Sequence, residues 1–170
     1  MKIAVGCDHR GYQAKVRLKA LLDDLGHRVV DCGADSDRAC DYPDYAVPPC
    51  RMVVQREADR AILLCGSGIG MTMAANKVPG IRAALCHDEL TAEMSRRHND
   101  ANVLCLPADL LGDELIRRIV EAWLKAPFDG GRHARRVQKI MAIEAQLRAG
   151  PGALPEAAPA DKTDAARKKK

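Results

Sequence analysis

Five short runs of β-branched and aliphatic residues, at 3–7, 28–32, 61–65, 81–86 and 102–106, recur along the chain with room for a helix between neighbours. That alternation constrains the fold more than any other feature. Val16, Leu18, Leu21, Leu22 and Leu25 mark one helix that Gly26 ends, and Leu115, Ile116, Ile119, Val120, Trp123 and Leu124 mark another that ends near Pro127. Strands interleaved with helices form a parallel sheet covered on both faces, so the expected class is α/β with a five-stranded sheet. Gly130 and Gly131 then open a final helix carrying Val137, Ile140, Met141 and Leu147. Its apolar residues need something to pack against beyond the sheet, and a second subunit is one candidate.

The chain has 170 residues, of which 47% are hydrophobic, enough for one core of ordinary size. No apolar run approaches the roughly 18 residues of a membrane span. Asp8, His9 and Arg10 interrupt what would have to be the apolar region of a signal peptide, so a cytoplasmic location is expected. The seven cysteines contain no C-x-x-C pair, which argues against a disulfide framework or a zinc ribbon and for reduced thiols. The net charge is +4, but residues 151–170 hold five Lys/Arg against three Asp/Glu, so half of the excess lies there. With 3% aromatic residues, the body offers few stacking platforms for nucleic acid, and no nucleic-acid or membrane partner is expected of it. Residues 150–170, rich in Pro, Ala and Lys, read as a disordered tail behind a single domain at 1–149.

In open parallel sheets, ligands bind beyond the carboxyl ends of the strands, so the residues after each run deserve the closest reading. The first run ends in Gly6-Cys7-Asp8-His9-Arg10-Gly11, with Asp31 about twenty residues further on. This imitates a dinucleotide fingerprint and fails as one, because the glycine spacing is wrong and Asp8 stands where a pyrophosphate needs bare amides. A small polyol phosphate suits the loop better, with Asp8 accepting from hydroxyls and His9, with Arg10 beside it, facing an anion. The plainer alternative is a solvated loop in which Asp8 caps the next helix.

The third run ends in Cys65-Gly66-Ser67-Gly68-Ile69-Gly70, before a helix expected at 71–77. Glycines at alternate positions let backbone N–H groups approach a ligand, and the loop lacks the Gly-Lys-Ser/Thr ending of a nucleotide P-loop. Cys65, beside the positive end of that helix, is placed to act as thiolate, although a free cysteine is more often a buried and inert residue. His98 falls near a helix C-terminus, where the dipole favours imidazolium and a proton donor, or else it is a simple cap. Arg132 and Arg136, four apart on one helical face, form a clamp for phosphate, while Arg135 reads as solvated.

Taken together, the stretch 6–11, Asp41-Tyr42-Pro43, the stretch 65–70 with Ala74-Ala75-Asn76-Lys77, the stretch 98–103 and Gly130-Gly131-Arg132-His133 resemble ribose-5-phosphate isomerase type B, a family that includes galactose-6-phosphate isomerase subunits. The resemblance runs from Met1 to about Glu144. It implies a Rossmann-like domain with a C-terminal helix for dimerisation, and aldose–ketose isomerisation without metal or organic cofactor. It implies Cys65 as the base between C2 and C1, and Ser67 with His98 as the pair that opens the sugar ring. Asp8 and Tyr42 would contact sugar oxygens, while Gly66, Gly68, Gly70 and Asn99 would stabilise the enediolate. His9, Arg132 and Arg136 would bind phosphate.

The resemblance also implies sites shared between the two subunits of a homodimer, or within a tetramer. Another branch of the family uses a Glu base at the position of Met71, which cannot do that work. One departure is Asp109, where many relatives carry an Arg. Either Asp109 points away from the site or the substrate differs from ribose 5-phosphate. A different C4 or C6 sugar phosphate and a non-catalytic sugar-phosphate-binding protein are the alternative readings.

Overall fold

The computed structural model describes residues 1–149, so the expected tail lies outside the described residues. Strands β1 (Lys2–Cys7), β2 (Arg28–Asp31), β3 (Arg60–Cys65), β4 (Ala83–Leu85) and β5 (Val103–Pro107) alternate with helices α1 (Tyr12–Asp24), α2 (Tyr42–Val54), α3 (Ile69–Ala75), α4 (Glu89–Asn99) and α5 (Asp113–Lys125). Helix α6 (Arg132–Ala149) follows. All strand pairs are parallel, in the order β2-β1-β3-β5-β4. The chain therefore moves to one side of β1 for β2 and to the other side for every later strand. The crevice at that reversal, beyond the ends of β1 and β3, is where such sheets bind ligands.

Side chains alternate between two apolar layers, as the period of a strand requires. Ile3, Val5, Ile62, Leu64, Leu104 and Leu106 face the layer built with Leu18, Leu22, Ile116, Ile119 and Trp123 from α1 and α5. Ala4, Ala61, Leu63, Val103 and Cys105 face the other, built with Ala46, Cys50, Met71 and Ala75 from α2 and α3. Cys7 pairs with Leu64 and Cys65 with Pro107 in the register, so Asp8 emerges beside Cys65 and the residues after β5 emerge next to both.

The first helix ends at Gly26 as expected, while several other features differ from the sequence expectation for local reasons. Helix α1 ends with Leu25 at its C-cap and Gly26 at φ 75°, and Val16, placed on the apolar stripe, is exposed. The fourth strand is three residues long instead of six because Ile81 N–H turns back to the Val78 carbonyl and Arg82 N–H goes to the Asn102 side chain. The helix expected at 71–77 begins earlier, at Ile69, because Gly68 takes a left-handed φ of 73° that turns the chain directly from the loop into it. Helix α2 fills the interval between the second and third runs, where no apolar stripe marked its bounds. It carries Pro48 and Pro49 inside it, which ordinarily breaks a helix, and it persists because Ala46, Pro49 and Cys50 are buried.

The chain divides into two compact units, Met1–Val137 and Gln138–Lys170. The described part of the second unit is the helical stretch 138–149, on which Ile140, Ile143 and Leu147 are all exposed. No helix among the described residues is long and apolar enough to cross a membrane.

Candidate active site

Cys65 closes β3 and is 5% exposed, with its Sγ receiving the backbone N–H of Gly68 at 3.2 Å. The left-handed turn at Gly68 is what aims that amide at the sulfur. Ser67 is exposed beside it and accepts the Ile69 N–H on its Oγ at 3.4 Å. Met71 is fully buried in the apolar layer. Burial raises five other thiols: Cys7 and Cys86 are pushed up to about 11, Cys50 up to about 12, and Cys32 and Cys105 are raised as well.

An open cleft of about 420 Å³ lies over this loop, lined by Asp8, Tyr42, Cys65, Gly66, Ser67 and Gly70, and also by Arg10 and Asp109. That volume suits a small sugar phosphate. The Tyr42 ring lies against Gly70, placed there by the first turn of α2. Asp8 is 4% exposed and serves both readings of its loop: its Oδ1 accepts the N–H groups of Arg10 at 2.9 Å and Gly11 at 3.0 Å, while the residue also lines the cleft. Asp109 does not point away. Ala108 N–H and Asp109 N–H bind the Cys65 and Gly66 carbonyls at 2.8 and 3.1 Å, which brings the Asp109 carboxylate to the cleft, 2.6 Å from Arg10 Nε.

The remaining expected residues do not line this cleft. His9 accepts the Cys40 N–H on Nδ1 at 3.3 Å. His98 and Asn99 end α4, and Arg132 and Arg136 begin α6. There the His98 ring stacks on His133 with centroids 4.1 Å apart and planes 6° apart. The stack is pinned by Asp129, whose backbone N–H reaches the Arg97 carbonyl at 3.0 Å and whose carboxylate takes Arg97 Nε. Burial, with the neighbouring His98, Arg132 and Arg136, holds the His133 imidazole below its ordinary range and therefore neutral.

His98, Asp129 and His133 bring ligand atoms within 4.8 Å of one another. Arg97 already holds both Asp129 oxygens, and Arg132 Nε contacts His133 Nε2 at 3.3 Å, so the surroundings suit an anion better than a metal ion.

The structure thus gathers Asp8, Tyr42, Cys65, Gly66, Ser67 and Gly70 in one place, and His98 with Arg132 and Arg136 in another. The sequence reading assigned no role to His133, although the Gly-Gly-Arg-His stretch contained it. It also placed no partner on Arg10.

A family model described as Ribose/Galactose Isomerase matches residues 3–140. The chain is 47% identical over 143 residues to ribose-5-phosphate isomerase B of Escherichia coli, covering 84% of this chain and 96% of that one. It is 41% identical over 147 residues to a D-erythrulose-4-phosphate isomerase of Pectobacterium atrosepticum, covering 86% and 97%. Among solved structures, a ribose-5-phosphate isomerase B of Clostridium thermocellum superposes with a TM-score of 0.85 at 48% identity, covering 86% of this chain and 99% of that one.

Proposed function

This chain belongs to the ribose/galactose isomerase family, and from that premise we propose that it interconverts ribose 5-phosphate and ribulose 5-phosphate through an enediolate. The observation that carries the reading is Cys65 Sγ at the floor of the switch-point cleft, with the Gly68 N–H upon it. Once the ring is open, the Cys65 thiolate takes the C2 proton, the C2 electron pair forms the C1–C2 double bond, and the carbonyl electrons move to O1. The backbone amides of the 66–70 loop, with Asn99, stabilise that oxygen charge. The Cys65 thiol then returns its proton to C1 while the O2 proton passes to O1, which leaves the ketone at C2 and a hydroxyl at C1. Ser67 and His98 serve ring opening, Asp8 and Tyr42 hold sugar hydroxyls, and the scheme needs no metal or organic cofactor.

His98, Asn99, Arg132 and Arg136 stand apart from the Cys65 cleft in one chain, and we place them in the cleft of a partner subunit. A homodimer, alone or within a tetramer, then carries two shared sites, with His9, Arg132 and Arg136 on the phosphate. The exposed Ile140, Ile143 and Leu147 give the second unit an apolar surface for that assembly. Seven free thiols fit the reducing cytoplasm.

Direct assay with four-, five- and six-carbon aldose phosphates, following ketose formation, tests the reading. Fastest turnover is expected on the five-carbon substrate. Ketose from none of them would leave a binding protein. A four-carbon substrate is the second reading, favoured by Asp109 in the cleft and by the likeness to a D-erythrulose-4-phosphate isomerase.

A further inference from the structure

We propose that Arg10 is a specificity-determining residue that contacts the substrate's phosphate, and that Asp109 is its positioning residue. The inference rests on the sugar-phosphate reading of the Cys65 cleft. Arg10 is the one cationic side chain among the described residues that line the cleft, against two carboxylates, Asp8 and Asp109. Without Arg10 the charged side chains that this chain itself contributes to the cleft lining would be carboxylates alone.

The position of the pair is closely determined. Arg10 N–H is held by Asp8 Oδ1, and Asp109 N–H by the Gly66 carbonyl. A Cβ at Gly66 would stand 2.5 Å from Asp109 Oδ2 and 2.6 Å from Arg10 Nε, so the pair lies directly on the loop backbone next to Cys65. Glycine at 66 leaves the two side chains room to lie against the loop.

Folding stability does not account for the pair, because the Arg10 side chain is 59% exposed and exposed ion pairs contribute little. Chemistry does. Arg10 reaches Asp109 through Nε and one terminal nitrogen, both directed at the single oxygen Oδ2. The guanidinium has five N–H donors in a planar fork, so donors remain for a phosphate while the carboxylate fixes the plane. Asp109 thereby changes from a group that repels phosphate into one that orients its acceptor.

The test uses the full chain and two measurements, calorimetric titration with inorganic phosphate and steady-state kinetics on ribose 5-phosphate. Arg10→Gln is expected to weaken phosphate binding by about tenfold, the scale of a lost charge-assisted hydrogen bond. KM should rise by a similar factor with kcat within about threefold. Arg10→Lys, which keeps the charge without the fork, should fall between Arg10→Gln and wild type. In Arg10→Gln the Asp109 carboxylate is left bare, so Arg10→Gln with Asp109→Asn should regain part of the lost affinity, a recovery that a merely structural pair would not give.

Phosphate affinity and KM within twofold of wild type in Arg10→Gln would overturn the proposal. Weaker binding in the double variant than in the single one would overturn the role of Asp109. If the isomerase reading alone is wrong, no ketose forms and the calorimetric change on Arg10→Gln still appears.

Discussion

Cys65 is distinguished by what touches its sulfur. A backbone amide at 3.2 Å and an opening to the cleft separate it from the thiols enclosed in the core. Cys65→Ala should reduce turnover by orders of magnitude while substrate binding by calorimetry stays within a few-fold, since a proton-transfer group acts on the transition state. Near-normal turnover would remove it as the base. Iodoacetamide should inactivate the enzyme with protection by substrate, and peptide mapping should find the label on Cys65; labelling that tracks the half-buried Cys40 instead would count against it. His133 carries a pH consequence. Its folded-state pKa lies below the ordinary 6.5, so the unfolded chain binds the proton first as pH falls. Its contribution is intact above about 6.5 and is lost as pH drops from there through the lowered folded-state value. Urea midpoints measured across that window should fall less steeply in His133→Gln than in wild type. At this scale Cys65 could be read directly, because a cysteine ending an apolar run before alternating glycines is a local signal. The Arg10–Asp109 pair could not, since its members are separated by 99 positions and meet only through the strand register.

Elements were legible where a local pattern and the tertiary environment agree. Helix α5 shows its stripe plainly, because Ile116, Ile119, Val120 and Trp123 are all buried on one side. Helix α2 hides behind Pro43, Pro48 and Pro49, whose local preference is to end helices, and only burial against the sheet reveals it. That matters for function, because the first turn of α2 supplies Tyr42 to the cleft. The junction of α4 and α5 is centred on Trp123, which is fully buried, with the Arg60 and Arg96 guanidinium carbons 5.2 and 5.8 Å from its ring centroid. Arg60 also binds the Trp123 and Leu124 carbonyls at 3.1 and 3.2 Å, and Arg96 binds Asp100 and the Ala101 carbonyl. Trp123→Ala should therefore cost about 3–5 kcal/mol, the usual range for an emptied aromatic site. Trp123 is the chain's one tryptophan, so urea unfolding must be followed by far-UV circular dichroism. Loss of less than about 1 kcal/mol would show that the site collapses around the deletion.

At the scale of the whole molecule, the separation of expected site residues into two places becomes an argument about assembly. Cys65 sits in the switch-point cleft and Arg136 in the first turns of α6, and in the proposed dimer the two residues of one chain serve different pockets. Homodimers of Cys65→Ala and of Arg136→Ala should then each be nearly inactive, because every pocket carries a lesion. Refolding equal amounts of the two variants together would yield about half heterodimers under two-fold symmetry. In each heterodimer one pocket would receive both lesions and the other neither. Activity should return to roughly a quarter of wild type, counting intact pockets on that symmetry. If both residues served one pocket of their own chain, every pocket in the mixture would remain damaged and nothing would return. Native mass spectrometry establishes whether heterodimers have formed, so failure to recover in their presence would exclude the inter-subunit arrangement. The assignment of Cys65 as base would survive that result, because it depends on the cleft within one chain.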